Sequence, residues 1–153
     1  MPGPTCVIYN PAAGRGRAEN LLKELAALGG GVELRPSKEP GHATELARLA
    51  ADEGFAKVVA AGGDGTAHEV ANGVLRSDRR DVVFSVWPVG SANDYAYSLG
   101  MDTWWAKRHE RLPTETLHVD VGLVTTPGRE RFMICCLGVG FNGMVTVEAQ
   151  KTR

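Results

Sequence analysis

Apolar and polar positions alternate along this chain with two different periods. Cys6-Val7-Ile8-Tyr9 is a short unbroken apolar run, the mark of a strand buried on both faces. A turn-rich stretch, Asn10 to Arg17, follows it. Ala18, Leu21, Leu22, Leu25, Ala26 and Leu28 then fall on one stripe, as in an amphipathic helix, and Gly29-Gly30-Gly31 ends it. Val32-Glu33-Leu34 alternates and stops at Pro36, which predicts a second strand. Ala43, Leu46, Leu49 and Ala50 predict a second helix that closes at Gly54, and Val58-Val59-Ala60-Ala61 a third, central strand. A third helix is expected from Thr66, with Val70 and Val74 on one face. A fourth strand is expected over Val82 to Trp87, and a further helix after Gly90 toward Leu99-Gly100.

This alternation predicts an α/β fold, a Rossmann-like parallel sheet with helices on both faces. The pattern changes after Gly100. Thr103 to Leu112 reads as a short helix carrying Trp104 and Trp105 ahead of basic residues. Thr116 to Val124 and Arg131 to Val139 read as two strands around a turn at Thr125-Thr126-Pro127-Gly128, and Phe141 to Lys151 as the start of another helix.

Composition narrows the function classes. The 153 residues suffice for one sizeable core, and 43% hydrophobic with 23% charged residues describes a globular chain. Seventeen basic residues against 18 acidic ones give a net charge of −1, so no long-range field favours nucleic acid, and phosphate affinity must come from local geometry. The longest nearly apolar stretch, Phe132 to Phe141, is interrupted by Gly138 and Gly140 and falls short of the roughly 18 residues of a membrane span. No signal peptide is expected from the opening residues. Cys135 and Cys136, neighbours on an expected strand, would point to opposite faces and pair poorly, so all three cysteines are expected as free, buried thiols of a reducing cytosol. His42, His68, His109 and His118 make no metal-ligand spacing with them, so no structural zinc is expected.

Open parallel sheets bind ligands beyond the carboxyl ends of their strands. Three such turns carry polar and glycine residues. In the first, Gly14 and Gly16 allow close backbone approach to an anion at a helix start, with Arg15 and Arg17 beside them; an ordinary strand-to-helix turn fits equally. In the second, Gly62-Gly63-Asp64-Gly65-Thr66, small residues leave room for a ligand across the backbone. Asp64 would need a divalent cation or a ribose hydroxyl between itself and any phosphate, or else it bonds nearby amides. Thr66 and Glu69 have the capping-box spacing, and capping is the favoured reading for Glu69. The third turn, Pro88 to Asp94, offers Gly90, Asn93 and Asp94 to a nucleotide or metal, while Ser91 and Asp94 form a near-capping pair.

Asn-Pro-x-x-Gly-x-Gly at 10–16, Gly-Gly-Asp-Gly-Thr at 62–66 with Glu69-Val70 and Asn72-Gly73, and Pro-x-Gly-x-x-Asn-Asp at 88–94 resemble, in this order and spacing, the catalytic region of diacylglycerol, sphingosine, ceramide and bacterial lipid kinases. Asp120-Val121-Gly122 and Gly138-Val139-Gly140-Phe141 resemble later motifs of that family. The resemblance implies a fold like the N-terminal domain of NAD kinases and phosphofructokinases. It implies MgATP held by Asn10, Gly14, Gly16, Gly62, Gly63, Asp64, Gly65, Thr66, Glu69, Gly90, Ser91 and Asn93. It further implies Mg²⁺ with its waters near Asp64, Asp94 and Asp120, Asp64 and Asp94 being the catalytic pair, and a lipid such as diacylglycerol as acceptor.

The sequence departs from the family at Ser91, His68, Tyr97 and Asn142, where threonine, asparagine, arginine and aspartate are usual. Family members continue into a β-rich second domain that supplies an acidic general base. The expectation for residues 1–153 is therefore a nucleotide-binding N-terminal domain that enters a truncated second domain after about residue 120. A cytoplasmic protein with peripheral membrane contact follows from the resemblance, although Trp104 to His109 reads first as a packed helix rather than a membrane anchor. Arg76, Arg79 and Arg80 read as solvated surface. A NAD kinase-like enzyme and a non-catalytic nucleotide-binding regulatory domain are the alternatives.

Overall fold

A computed structural model describes residues 3–12, 18–27, 31–101 and 115–151. Gly14, Gly16 and the Trp104 to His109 segment lie outside the described residues. Four strands, β1 (Thr5–Tyr9), β2 (Val32–Pro36), β3 (Lys57–Gly62) and β4 (Val83–Pro88), form a wholly parallel sheet in the order β2-β1-β3-β4. They alternate with helices α1 (Ala18–Ala27), α2 (His42–Asp52), α3 (Asp64–Leu75) and α4 (Asp94–Ser98). The expected Rossmann-like architecture is the observed one.

Strand periodicity sorts the core into two layers. Cys6, Ile8, Val58, Ala60 and Val86 face α2, α3 and α4, while Val7, Val59, Ala61 and Trp87 face the side that Leu25 of α1 covers. Both β1 and β3 are thus buried on both faces, which explains their unbroken apolar runs. Each fully buried valine contributes roughly 1.5 kcal/mol or more relative to exposure. Helices α2 and α3 pack closely because residue 73 is glycine: a Cβ there would lie 2.2 Å from the Thr44 carbonyl oxygen and 2.6 Å from Ala47 Cβ.

The later elements differ from expectation in their bounds. Strands β5 (Gly122–Thr126) and β6 (Arg129–Met133) form an antiparallel hairpin, and helix α5 (Phe141–Lys151) follows. Residues 115–121 and 136–139 carry no regular structure. The turn is tighter than expected because Pro127 presets its first corner and Gly128, at φ 75°, takes the second, so Thr126 pairs with Arg129 directly. Pairing runs out at Gly122 opposite Met133, and β6 therefore stops before the cysteines. Cys6 is buried as expected, whereas Cys135 and Cys136 are exposed, which corrects the expectation that all three thiols are internal.

The hairpin docks on α3 through Asn72, a nearly inaccessible side chain. Its Nδ2 donates to the Phe132 carbonyl at 2.8 Å and to the His68 carbonyl at 3.0 Å, and its Oδ1 accepts from the Phe132 amide at 3.0 Å. One carboxamide thus pairs with a strand residue much as another strand would. Arg76 adds a bond to the Glu130 carbonyl at 2.5 Å. Arg79 pairs with Asp81 and Arg80 donates to the Ser77 carbonyl, so these arginines bind local partners rather than forming one patch.

Candidate active site

The strand order creates a switch point. From β1 the chain crosses through α1 to β2 on one side, and from β2 it returns through α2 to β3 on the other. The loops leaving β1 and β3 consequently diverge and leave a crevice at their carboxyl ends. Asn10 sits at the end of β1, where its amide donates to the Ala61 carbonyl at 3.3 Å and its Oδ1 accepts from the Ala12 amide at 2.9 Å.

The second and third glycine turns touch each other. A Cβ on Gly90 would lie 2.4 Å from Gly63 Cα, and one on Gly63 would lie 3.3 Å from Gly90 Cα. The Val89 amide donates to the Gly62 carbonyl at 3.0 Å and holds the contact in register. Gly62 is required for a different reason, since a Cβ there would come 2.3 Å from Thr66 Oγ1. Gly65 differs from all three: it is exposed, and a Cβ on it would meet nothing within 4 Å.

Helix α3 begins at Asp64, three residues earlier than the Thr-x-x-Glu spacing, with Thr66 as N-cap, implies. Its N-cap is Gly63, with no side-chain capping bond. Thr66 is therefore inside the first turn and buried, and it borders the crevice together with Glu69. The capping-box reading of Thr66 and Glu69 is overturned; the packing of Gly63 against Gly90, invisible in local sequence, sets the helix start. The near-capping pair Ser91 and Asp94 fails likewise. Asn93 is the N-cap of α4, in the left-handed conformation at φ 60° and ψ 39° that asparagine tolerates, and it makes no side-chain capping bond. Its carboxamide instead braces the turn, with Oδ1 accepting from the Gly90 amide at 2.9 Å and Nδ2 donating to the Gly90 carbonyl at 3.0 Å.

Asp64 links the two turns. Its Oδ1 accepts from the Tyr95 amide at 3.0 Å, a partner 31 residues on, and so supplies from α3 the cap that α4 lacks. Asp94 opens α4 and is exposed. Both carboxylates act on the thiol of Cys135. Partial desolvation of its sulfur, then the neighbouring Cys136, and then Asp64 and Asp94 push that thiol above its ordinary range. Burial, and then Cys135, raises Tyr95 in turn. Asp64, Asp94, Tyr95 and Cys135 thus form one neighbourhood. Asp120 stands in the exposed run ahead of β5, and among the described residues no three His, Cys, Asp or Glu side chains converge as metal ligands.

A cleft of about 410 Å³ opens between these turns and the segment after β2. Asn10, Ala12, Gly63, Gly65, Thr66 and Glu69 form one side, and Ser37, Lys38, Glu39, Pro40 and Ala43 the other. Sequence reading missed residues 37–40. Their glycine-poor composition hides them, but their position following a parallel strand was the available signal. The Ser37 amide donates to the Tyr9 carbonyl at 2.8 Å, and the Lys38 amide to His42 Nδ1 at 3.1 Å, which fixes this wall against β1 and α2.

Fold and crevice define a doubly wound α/β domain with a glycine-lined cleft at its switch point. Residues 4–124 match the family model of the diacylglycerol kinase catalytic domain. A protein of Chromohalobacter salexigens named probable lipid kinase YegS-like is 36% identical over 148 residues, covering 94% of this chain and 46% of that protein. The diacylglycerol kinase of Bacillus subtilis is 37% identical over 99 residues, 62% of this chain and 32% of the relative. A crystal structure of a diacylglycerol kinase from Bacillus anthracis superimposes with a TM-score of 0.60 at 28% identity, covering 70% of this chain and 40% of that one. The chain belongs to the diacylglycerol kinase catalytic domain family, and it spans less than half the length of these relatives.

Proposed function

We propose that this chain is the nucleotide-binding part of an ATP-dependent lipid kinase that transfers the γ-phosphate to a hydroxyl of a lipid such as diacylglycerol. The observation that carries this reading is the back-to-back packing of Gly63 and Gly90 beside Asp64, which leaves a side-chain-free floor next to a carboxylate. The donors suit a magnesium nucleotide. The first-turn amides of α3 have no intrahelical acceptor, and exposed Gly65 lets an anion approach them closely. Among the described residues the hydrogen bond to Asp64 is the one its Oδ1 accepts from Tyr95, which leaves Oδ2 for a cation.

In this reading Gly62, Gly63, Gly65 and Thr66 bind phosphate, Asn10 and Glu69 border the nucleotide, and Gly90, Ser91 and Asn93 shape the adjoining turn. Gly14 and Gly16 contribute from the loop after β1. Asp64 and Asp94, with Asp120 from the later segment, hold Mg²⁺ directly or through water. When bound, the metal neutralises charge on the transferring phosphoryl group. Lys38, on the opposite wall, is a further cation for the phosphates.

A second domain would complete the cleft and supply the general base. Among the described residues from 5 to 101, Leu49 and Tyr97 are the large exposed apolar side chains, whereas Leu117, Leu137, Val139, Phe141, Met144 and others follow one another after residue 115. That segment has the surface of a domain boundary awaiting cover. The acceptor requires contact with a bilayer from its cytoplasmic face; no described helix is long and apolar enough to cross one.

The test is calorimetric titration of ADP with and without Mg²⁺ in the wild type and Asp64→Asn. Asparagine retains an oxygen for the Tyr95 amide but loses the charge for the cation. The expected result is a magnesium-dependent gain of about tenfold or more, equivalent to about 1.4 kcal/mol, that the variant loses. A variant with undiminished magnesium dependence contradicts the assignment. Nucleotide binding without lipid phosphorylation in the full-length protein would favour a regulatory domain instead.

A further inference from the structure

The cleft wall opposite the glycine turns is a short loop with little freedom of its own. Pro36 and Pro40 bracket it, and Gly41 turns the chain into α2 at φ 90°. Between the prolines, the Tyr9 carbonyl holds the Ser37 amide at 2.8 Å. The Lys38 amide has a partner of another kind, the ring nitrogen Nδ1 of His42 at 3.1 Å. The His42 amide returns to the Glu39 carbonyl, also at 3.1 Å. Residues 38–42 thus close on themselves through two bonds, one of them made by a side chain. Nδ1 accepts only while it carries no proton, so this bond selects the tautomer with its hydrogen on Nε2.

Among the described residues that line the cleft, Lys38 is the one cation, set across from Gly63, Gly65 and Thr66, while Glu39 and Glu69 are its carboxylates. His42 does not line the cleft. An ammonium on a flexible stem gains most for an anion when the backbone that carries it is already in place, because less ordering remains to be done on binding. We propose that His42 is a positioning residue of this site: its ring holds the Lys38 amide and so presents the Lys38 ammonium to the phosphates of a nucleotide that His42 never touches. The role in binding rests on the nucleotide reading above. Two substitutions separate the bond from the ring. Asparagine places Oδ1 as many bonds from Cα as the histidine Nδ1 and still accepts, whereas leucine places a methyl group there and accepts nothing.

The test combines His42→Asn and His42→Leu with Lys38→Met, and reads MgADP affinity by calorimetry. Nitrogen chemical shifts of the His42 ring are read on the wild type near pH 8, roughly where an ordinary histidine is neutral. His42→Leu should weaken MgADP binding about fivefold, the effect of about one hydrogen bond, while His42→Asn stays within about twofold of the wild type. In the Lys38→Met background the same His42→Leu change should have no effect, because the ammonium that the ring positions is gone. The ring should carry its proton on Nε2; a proton on Nδ1 overturns the bond, and this reading needs no variant to fold. Equal losses in His42→Asn and His42→Leu, no loss in His42→Leu, or a loss that persists in full in the Lys38→Met background overturn the positioning role. Absent MgADP binding in the wild type would count against the nucleotide reading, and the ring tautomer would still decide the bond to Lys38.

Discussion

Replacing Asn72 with alanine removes a buried carboxamide whose two ends hold the Phe132 amide and carbonyl. Each such bond contributes about 1 kcal/mol net, so losing the pair weakens docking of the β5–β6 hairpin by roughly 2 kcal/mol. Core strands β1 and β3 do not depend on the contact and should stay protected. The assay is native-state hydrogen exchange, with the Phe132 amide as reporter and the Val59 amide as reference. A 2 kcal/mol loss corresponds to an approximately 30-fold faster opening at Phe132. Asn72→Asp sharpens the test. Its carboxylate still accepts from the Phe132 amide but faces the carbonyls of His68 and Phe132 with no donor, so at pH 7 it should be worse than alanine and recover as the pH falls. Unchanged exchange at Phe132 in Asn72→Ala would refute the latch. So would equal acceleration at Phe132 and Val59, which would mean that the whole fold opens instead.

Two glycines at the crevice should respond in opposite ways. Gly90→Ala drives a methyl group into the Gly63 backbone and should cost roughly 1–3 kcal/mol in urea unfolding; no loss would show that the turns are not in contact. Gly65→Ala meets open space on a helix and should raise stability by about 0.5–1 kcal/mol while weakening MgADP binding, with unchanged affinity placing the phosphates elsewhere. Cys6 titrates near 12 in the fold against an ordinary 9.0, so its contribution is complete below pH 9 and is lost as pH rises from 9 to 12. Unfolding free energy should fall there by up to about 1.4 kcal/mol per pH unit, and Cys6→Ala should remove this part of the slope. A wild-type and variant pair with identical slopes would contradict a buried neutral thiol.

The sheet was legible because its signals are local. Val58 to Ala61 is apolar without a break since both faces of β3 are covered, and Leu25 marks the buried face of α1. The glycine turns were legible for the same reason, each lying within a few residues of a strand end. Features set by distant partners were not. The start of α3 depends on Gly63 meeting Gly90, so Thr66 and Glu69 imitated a cap that the fold does not use. The bond from the Tyr95 amide to Asp64 joins residues with no pattern between them. Residues 37–40 carry ordinary loop chemistry and become a wall only because β2 lies beside β1. The cysteine error has the same origin, since the end of β6 is set by where β5 begins.

The most direct measurement of the central claim is an amide chemical-shift titration of the protein with MgADP. Saturable shifts grouped at Asn10, Lys38 and Gly63 to Thr66, with the β5–β6 turn unmoved, are the predicted result. Shifts that cluster away from these loops, or no saturation at millimolar nucleotide, would contradict it.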